Sequence, residues 1–381
     1  MSNVNLYQFG VYESASGGGV NEYLYQNAQL LKGDINIHFL NFDLDDPNAY
    51  EHKIVDENIT IHRFGRLKYK GLVFPEIFKE WLAQLSSQEN TIFHLHSVFL
   101  LSNFALARLL CSNKIPYIFT PHDSYSPESL RTKFLLKYLF LKSTEKFIMD
   151  HAQAVHAITD KGAKDIASYT KNKIKIITNF VPDRVGDTFN PPLTNHVCFI
   201  GRFDVYQKGI DLNLKAFQIF KKRTFKPTKF MMIGLKKPKQ AIAVDKICKE
   251  LHLEIGKDVI FMGKVSDAEK YDTLKDSRVY LQLSRFEGFG LSIVEALTCG
   301  KPVIISDKVP IYHLIRKYRA GWVVSNAEEA AEALIEVYKL DSEAYKELSY
   351  QARRCYEESF HPSIIKPELI RMYEDKLLVL A

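Results

Sequence analysis

The sequence predicts an α/β protein that consists of two doubly wound domains, each with a mostly parallel sheet covered by helices on both faces. Short runs rich in β-branched and aromatic residues alternate with longer helical patterns, and this alternation is typical of parallel sheets. The alternation restarts after a loop-like segment, residues 183–192, that is rich in Asp, Gly and Pro. The length of 381 residues fits two domains of ordinary size.

Eleven runs of this kind predict the strands of the two domains. In the first half of the chain they are residues 4–9, 35–40, 92–96, 117–120, 155–158 and 174–177. In the second half they are residues 197–200, 230–233, 259–261, 279–283 and 303–305. We therefore expect a first domain over residues 1–185 and a second over residues 186–359. Ligands of such sheets bind at the carboxyl ends of the strands, so the cleft between the domains is the expected site.

The composition describes a globular protein with a mildly basic character. Hydrophobic residues make up 46% of the chain and charged residues 25%, which is enough for an ample core. The 51 basic and 45 acidic residues give a formal net charge of +6. This balance suits phosphate-bearing small molecules or an anionic membrane surface better than a long nucleic acid, and we expect no nucleic-acid partner.

The cysteines and the apolar segments indicate a cytoplasmic protein. Five scattered cysteines show no paired spacing, which argues for a reducing compartment and against disulfides and structural zinc. The first residues lack the basic start and long apolar run of a signal peptide. The most apolar stretch, residues 98–111, is interrupted by polar residues and is too short to span a bilayer.

The most informative motif is a pair of glutamates, Glu287 and Glu295, that flank a glycine-broken turn and the start of an apolar helix. The free amides of Gly290, Leu291 and Ser292 at that helix start form a ready anion site. The two carboxylates on either side can accept hydrogen bonds from hydroxyl groups. A phosphate flanked by hydroxyls on both sides describes a sugar nucleotide. An ordinary strand–turn–helix with solvated glutamates has the same pattern.

Three further segments carry residues suited to such a ligand. The glycines at 17–19 follow the first strand and allow close approach of the backbone, although a flexible loop explains them equally well. Arg202 and Lys208 follow the first strand of the second domain, where two cations can hold a diphosphate or remain solvated on the surface. His122 follows the fourth strand, where it can face a ligand or serve a structural role.

With these residues assembled, the chain resembles the retaining glycosyltransferases of family 4, which have the GT-B fold of two Rossmann-like domains facing each other across a cleft. The most specific part is the Glu-x7-Glu motif from Glu287 to Glu295. The next most specific parts are Gly-Arg-Phe and Lys-Gly within residues 201–209, and the Thr-Pro-His segment that contains His122. The resemblance covers nearly the whole chain. It implies that a final helix, over about residues 360–381, packs back on the first domain.

The resemblance also implies a role for each matched residue. Arg202 and Lys208 would stabilise the diphosphate as the glycosidic bond breaks. Glu287 and His122 would contact the transferred sugar, and Glu295 would bind the ribose hydroxyls. The implied catalytic residues are therefore His122, Glu287, Arg202 and Lys208. The implied donor-binding residues are Gly18, Gly19, Arg202, Lys208, Gly288, Phe289, Gly290, Leu291 and Glu295.

The activity implied by the resemblance is the transfer of a sugar from a nucleotide-sugar to a glycan or lipid-linked acceptor in polysaccharide or glycoconjugate synthesis. UDP is the first expectation for the nucleotide and GDP the second. The reaction would retain the anomeric configuration and would need no cofactor and no metal ion. Two alternatives share the architecture, namely a non-hydrolysing sugar-nucleotide epimerase and a catalytically silent binding subunit.

An acidic segment feeds two other interpretations. Asp43 and Asp45 form a literal Asp-x-Asp, the metal–diphosphate signature of the other glycosyltransferase fold, although acidic loops are usually just solvated. An acidic residue at this distance from a glycine-rich turn also suits a dinucleotide-dependent oxidoreductase. The turn lacks the Gly-x-Gly-x-x-Gly spacing, and that alternative leaves both motif glutamates unexplained.

Residues 129–147 predict a basic amphipathic helix, in which Lys133 and Lys137, and likewise Lys142 and Lys146, are four residues apart. Such a helix can lie on an anionic membrane surface, which would place the protein peripherally on the inner face of the cytoplasmic membrane. A lipid-linked acceptor would then be within reach. A domain helix with one core face and one solvated face has the same pattern.

Overall fold

The computed structural model describes residues 4–10, 12, 19–88, 90–122, 124–131, 134–186, 195–235 and 238–377. The chain divides into two compact units, which we call the first and second domains. The first comprises Met1–Asn179 together with Ser363–Ala381, and the second comprises Phe180–Pro362. Each contains a sheet of mostly parallel strands, so the prediction of two doubly wound α/β domains is confirmed.

The first domain is built on one sheet. Its strands are β1 (Asn5–Phe9), β2 (Asn36–Leu44), β3 (Tyr50–Asp56), β4 (Ile59–Gly65), β5 (Thr91–His96), β6 (Tyr117–Thr120), β7 (Ala154–Ala157) and β8 (Ile174–Ile176). Its helices are α1 (Gly19–Leu31), α2 (Glu76–Leu85), α3 (Leu101–Ser112), α4 (Pro127–Arg131), α5 (Phe134–Phe140), α6 (Lys146–His151) and α7 (Asp160–Ala167). A short 3-10 helix spans Tyr69–Gly71, and a π-helical turn spans Leu141–Glu145.

The strand order of this sheet is β3-β4-β2-β1-β5-β6-β7-β8. Neighbouring strands are parallel, apart from the antiparallel pair of β3 and β4. The sequence did not predict this pair. Most side chains of β3 are exposed or half-buried, because β3 lies at the edge of the sheet and needs no apolar run.

The second domain has a sheet of the same kind. Its strands are β9 (His196–Ile200), β10 (Lys229–Ile233), β11 (Val259–Gly263), β12 (Ser277–Gln282), β13 (Val303–Ser306) and β14 (Gly321–Val324). Its helices are α8 (Ile210–Thr224), α9 (Pro238–Glu250), α10 (Asp267–Lys275), α11 (Leu291–Thr298), α12 (Tyr312–Tyr318), α13 (Ala327–Lys339) and α14 (Ser342–Ser359). The last helix of the chain is α15 (Pro362–Leu377), which belongs almost entirely to the first domain.

The strand order of the second sheet is β11-β10-β9-β12-β13-β14, and all of these neighbours pair in parallel. The chain moves outward from β9 in one direction and then returns to β12 on the other side. The carboxyl ends of β9 and β12 therefore form a topological switch point, where sheets of this type bind their ligands. The loops after these two strands carry the Arg202–Lys208 segment and Glu287.

Residues 129–147 do not form one continuous α-helix. The helical segment from α5 to α6 is interrupted by the π-helical turn. The turn accommodates an extra residue, and within it the side chains of Leu141 and Glu145 are buried. Lys133 lies outside the described residues.

Helix α15 supplies a buried polar contact to the first domain. The Tyr373 hydroxyl lies 2.9 Å from Nδ1 of His94 on β5. Lys366, near the start of the helix, forms an ion pair with Asp34 at 2.5 Å. These contacts connect the end of the chain to its first strands.

No helix in the described part of the chain has the length and apolar character needed to cross a membrane.

Candidate active site

Two loops of the second domain meet at the switch point. The loop after β9 ends at Gly209, which has a φ of 58° and precedes α8. A Cβ atom on Gly209 would lie 2.0 Å from the carbonyl oxygen of Leu283, in the loop after β12. Asn213 joins the same two loops, because its side chain accepts from the Leu283 amide at 2.8 Å and donates to the Lys208 carbonyl at 3.3 Å. The backbones of the two loops are therefore in direct contact, and only glycine fits at position 209.

The centre of the site is an ion pair between Lys208 and Glu287. Nζ of Lys208 lies 2.6 Å from Oε1 of Glu287, and only 13% and 6% of the two side chains are exposed. The same Oε1 accepts hydrogen bonds from Gln282 Nε2 at 2.6 Å and from Ser284 Oγ at 2.7 Å. Among the described residues, no donor contacts Oε2. One oxygen of the carboxylate is thus fixed, and the other is available to a ligand.

A polar network behind Glu287 holds this arrangement in place. The side-chain oxygen of Gln282 accepts from the Tyr280 hydroxyl at 2.6 Å and from Ser292 Oγ at 3.1 Å. Its amide nitrogen donates to Ser284 Oγ at 3.0 Å as well as to Glu287. Gln282 is fully buried, so the orientation of its amide is determined by these partners. Gln282 was not among the predicted site residues, although it is the last residue of β12, at the end of the strand where ligands bind.

Arg202 remains largely in solvent beside this pair. Its side chain is exposed, and one guanidinium nitrogen donates to Gln207 Oε1 at 2.9 Å. Gln207 is neutral, and within the described ranges no carboxylate forms an ion pair with Arg202. Arg202 therefore keeps guanidinium N–H groups that can bind an anion.

A second arginine, Arg285, supports the loop after β9. Its guanidinium forms a two-pronged ion pair with Asp211, at 2.9 and 2.6 Å, and donates to the carbonyls of Val205 and Tyr206. The Arg285 amide also donates to the Gln207 carbonyl at 2.9 Å. This clamp holds the backbone that presents Lys208, and it too was not predicted.

Helix α11 begins at this site in the manner that the sequence predicted. Gly290 precedes it with a φ of 99°, a conformation that other residues rarely adopt. In the part of the chain that the structure describes, the amides of Gly290, Leu291 and Ser292 donate to no protein group. Phe289 is buried and packs edge-to-face on Phe360, with ring centroids 5.9 Å apart. The amides are thus free to bind an anion, while Phe289 anchors the turn.

Glu295 lies on α11 and is paired with a lysine that the sequence analysis did not select. Nζ of Lys270, on α10, lies 2.7 Å from Glu295 Oε1 and 3.0 Å from Asp267. Burial lowers the pKa of Lys270, but the two carboxylates outweigh this effect and leave the pKa above its ordinary value. Lys270 therefore stays charged and fixes the orientation of the Glu295 carboxylate.

In the first domain, His122 belongs to a group of histidines at the carboxyl ends of β5 and β6. His122 is half-buried with a φ of 52°, and its Nε2 lies 3.2 Å from Nδ1 of His96. Thr120 Oγ1 lies 2.6 Å from His94 Nε2 and 2.9 Å from His156 Nδ1. Burial, assisted by His156, lowers the pKa of His122 to about 3, and burial lowers that of His156 to about 4. These rings are therefore neutral hydrogen-bonding groups at neutral pH.

The glycines after the first strand and the acidic Asp-x-Asp segment belong to the first domain as well. Gly18 lies outside the described residues, and Gly19 is the first residue of α1. Asp43 pairs with Arg63 at 3.0 Å, and Asp45 pairs with Arg66 at 3.0 Å. No group of three His, Cys, Asp or Glu side chains in the described ranges could hold a metal ion.

Comparison with known proteins gives the family of the chain. The family model Glycosyltransferase Family 4 matches residues 17–184, and the model Glycosyl transferases group 1 matches residues 188–355. N-acetyl-alpha-D-glucosaminyl L-malate synthase of Bacillus anthracis is 24% identical over 391 aligned positions that cover 96% of each chain. Phosphatidyl-myo-inositol mannosyltransferase of Mycobacterium leprae is 27% identical over 192 residues, which are 48% of this chain and 47% of that protein.

Comparison with solved structures gives the fold of the chain. The structure of a sucrose-phosphate synthase from Thermosynechococcus elongatus matches this one with a TM-score of 0.75 and 19% identity, over 100% of both chains. The two family models between them match most of both domains. The chain therefore belongs to the family 4 glycosyltransferases, which have the GT-B fold.

Proposed function

We propose that this glycosyltransferase moves a sugar from a nucleotide-sugar, UDP-linked first and GDP-linked second, to a glycan or lipid-linked acceptor. The transfer would retain the anomeric configuration and would require no metal ion. The observation that carries the proposal is the cluster at the switch point of the second domain. There Lys208 and Glu287 are in contact at 2.6 Å, and Ser292 at the start of α11 is linked to them through Gln282.

Stabilisation of the leaving group is the first chemical role. Bond cleavage at the anomeric carbon leaves negative charge on the diphosphate, so fixed positive groups lower the barrier most when they are already in place. Arg202 offers a fork of N–H donors, and Lys208 offers a compact charge. The free amides of Gly290 and Leu291 add the positive end of α11. These groups would replace the divalent metal that other diphosphate sites use.

Glu287 would bind the transferred sugar rather than attack it. Three donors already share its Oε1, and one of them is the charged Lys208, so the carboxylate is stabilised and is a weak nucleophile. Its Oε2 can still accept a hydrogen bond from a sugar hydroxyl. This arrangement differs from the pair of carboxylates in a glycosidase, where one serves as acid and the other as nucleophile or base. We propose instead that a phosphate oxygen of the donor takes the proton of the acceptor.

Glu295 would bind the ribose hydroxyls of the nucleotide. The ion pair with Lys270 fixes the carboxylate on α11, one turn beyond the amides that would hold the phosphates. A ribose lies next to the diphosphate in a sugar nucleotide, which supports this assignment.

The remaining predicted site residues complete the proposal. His122 would hydrogen-bond the donor sugar as a neutral imidazole, because burial holds its pKa at about 3. Gly18 and Gly19 would leave space for the phosphates and the acceptor, and Gly288 and Phe289 would shape the turn beneath the donor. A neutral histidine is suited to an uncharged sugar hydroxyl.

The relatives leave the acceptor class open between two kinds of molecule. One is named for a mannosyl transfer to phosphatidyl-myo-inositol, a lipid, and the other for a transfer to L-malate, a small soluble acid. We favour a lipid-linked acceptor because helix α5 exposes several large apolar side chains that suit a membrane surface.

Nucleotide binding followed by donor consumption tests the proposal. We expect UDP to raise the melting temperature of the protein more than GDP or ADP. A ligand at 100 times its Kd stabilises the folded state by about 2.7 kcal/mol, so binding is readily detected in this way. The UDP-sugar that binds should then be consumed rapidly only when an acceptor is added. Glu295→Gln tests whether UDP binds at this site, because this variant should weaken the UDP response. Conversion of the donor to its epimer without acceptor, or the lack of any nucleotide response, would contradict the proposal.

A further inference from the structure

Helix α5 exposes a group of neighbouring apolar side chains. Phe134, Leu135, Leu136, Tyr138 and Leu139 have exposed fractions of 60%, 71%, 54%, 44% and 57%. Single exposed apolar residues are common, but a contiguous group of this kind marks an interaction surface. We call these five residues the α5 patch.

The α5 patch is separate from the part of this segment that packs on the domain. Leu141, Ile148 and Met149 are buried, so the π-helical turn and α6 are anchored in the core. Tyr125 donates a hydrogen bond of 2.5 Å to the buried carboxylate of Glu145, which fixes the turn further. The segment therefore has a core face, but its outer face is apolar rather than solvated and polar.

Basic residues predominate in the segment that carries the α5 patch. Residues 129–144 contain four basic residues and no acidic one. Lys142 is exposed and lies 5.7 Å from the centre of the Tyr138 ring. Arg131, at the end of α4, is exposed as well. An apolar surface with a basic border matches a bilayer whose headgroups are anionic.

We propose that the α5 patch docks the protein on a lipid bilayer, with its apolar side chains inserted below the headgroups and the neighbouring cations at the headgroup level. Amphipathic helices in this position bury their apolar face about 5–10 Å into the interface. Docking itself does not depend on the proposed function. Its consequence does: if the protein is the proposed transferase, the acceptor is a lipid-linked molecule in that membrane.

We expect apolar contact to contribute more to membrane binding than the lysines do. Lys146 is paired with Asp150 at 2.6 Å, and Nζ of Lys137 donates to the Ser129 carbonyl at 2.5 Å. These two cations are already engaged with protein groups. High salt screens the charges but not the apolar term, so it should weaken binding only in part. This outcome differs from the complete release that a purely electrostatic helix would show.

Vesicle co-sedimentation of the full chain tests the proposal. The probes are vesicles of phosphatidylcholine alone, and of equal parts phosphatidylcholine and phosphatidylglycerol. Leu135→Ser combined with Leu139→Ser should reduce partitioning by about 100-fold, since each leucine lost from an apolar environment costs at least about tenfold. Lys142→Ser should reduce it by about fivefold at low salt.

Two exposed isoleucines provide a matched control. Ile54 and Ile242 are 69% and 72% exposed, and they lie on β3 and α9. Ile54→Ser combined with Ile242→Ser removes as much exposed apolar surface as the leucine variant but should leave vesicle binding unchanged. Equal loss in both double variants would overturn the proposal, because it would show non-specific adhesion.

The remaining outcomes separate docking from catalysis. The leucine variant should keep the UDP response and the slow hydrolysis of donor by water, while transfer to a lipid-borne acceptor falls. Vesicle binding without any nucleotide response would contradict the proposed function and leave docking intact. No vesicle binding by the unmodified protein would overturn docking. Docking would also be overturned if the unmodified protein were a dimer and the Leu135→Ser, Leu139→Ser double variant a monomer. The patch would then bind a second copy of the chain.

Discussion

Replacing Lys208 with Met tests the centre of the site, because it removes the cation and keeps most of the side-chain volume. Glu287 then loses one of the three donors on Oε1 and retains Gln282 at 2.6 Å and Ser284 at 2.7 Å. Only 6% of the Glu287 side chain is exposed, so water replaces the lost donor poorly. A hydrogen bond to a charged group is worth about 1.5–3 kcal/mol, and we expect the free energy of unfolding to fall by about 2 kcal/mol.

The effect on catalysis should be larger than the effect on stability. If Lys208 stabilises charge that develops on the diphosphate, both kcat and kcat/KM should fall by about 10²–10³. Urea unfolding gives the first quantity, and steady-state release of nucleotide from the sugar donor gives the second. The fold should survive, since two donors still hold Glu287.

Two further variants make this test specific. Lys208→Met combined with Glu287→Gln should recover stability, because no buried charge remains unpaired, but it should not recover turnover. Lys221→Met is the control: it removes an ion pair with Asp258 whose side chains are 25% and 13% exposed, on the far end of α8. It should lower stability and leave turnover unchanged. Turnover of Lys208→Met within about threefold of the unmodified protein would refute the assigned role.

The remaining predictions concern the other carboxylates, the buried glutamine and acid stability. Glu295→Gln should weaken the binding of free UDP, whereas Glu287→Gln should leave it nearly unchanged and lower kcat; calorimetry and kinetics check this, and equal losses of UDP binding would contradict it. Gln282→Leu should lower kcat by about tenfold through loss of a hydrogen bond to Glu287, with UDP affinity unchanged; an unchanged kcat would exclude a positioning role. The free energy of unfolding should fall as the pH drops from about 6.5 toward 4, because burial holds the pKa of His122 at about 3 and that of His156 at about 4, so the unfolded chain binds more protons. Each such histidine contributes a slope of up to about 1.4 kcal/mol per pH unit, and His156→Gln should reduce the slope measured by urea unfolding at several pH values; an unreduced slope would contradict this source.

The parts of the fold that the sequence predicted are those whose burial dictates an apolar run. Strand β6 was predicted over residues 117–120, where the structure has Tyr117–Thr120 with all four residues buried. The edge strand β3 was missed because its exposed side chains carry no such pattern. The helix over 129–147 was predicted as continuous, because periodicity does not reveal a π-helical turn stabilised by the distant Tyr125.

Some residues of the candidate site could be predicted from the sequence and others could not. Arg202, Lys208 and Glu287 were selected because their types and spacing point to a diphosphate and a sugar, and the structure joins Lys208 to Glu287. Lys270 was not selected, since its partner Glu295 lies 25 residues away on another helix and only the tertiary fold brings them together. Gln282 was overlooked because one polar residue in an apolar strand has many ordinary explanations.

The contact between Gly209 and Leu283 limits how such a site can be altered. Because a side chain at position 209 would collide with the Leu283 carbonyl, and Asn213 bonds to both loops, neither loop can shift without displacing the other. Engineering of donor preference should therefore succeed through side-chain exchanges on a fixed backbone and fail through insertions in one loop. A transplant of this site into another scaffold would have to carry both loops and Asn213 as a single block.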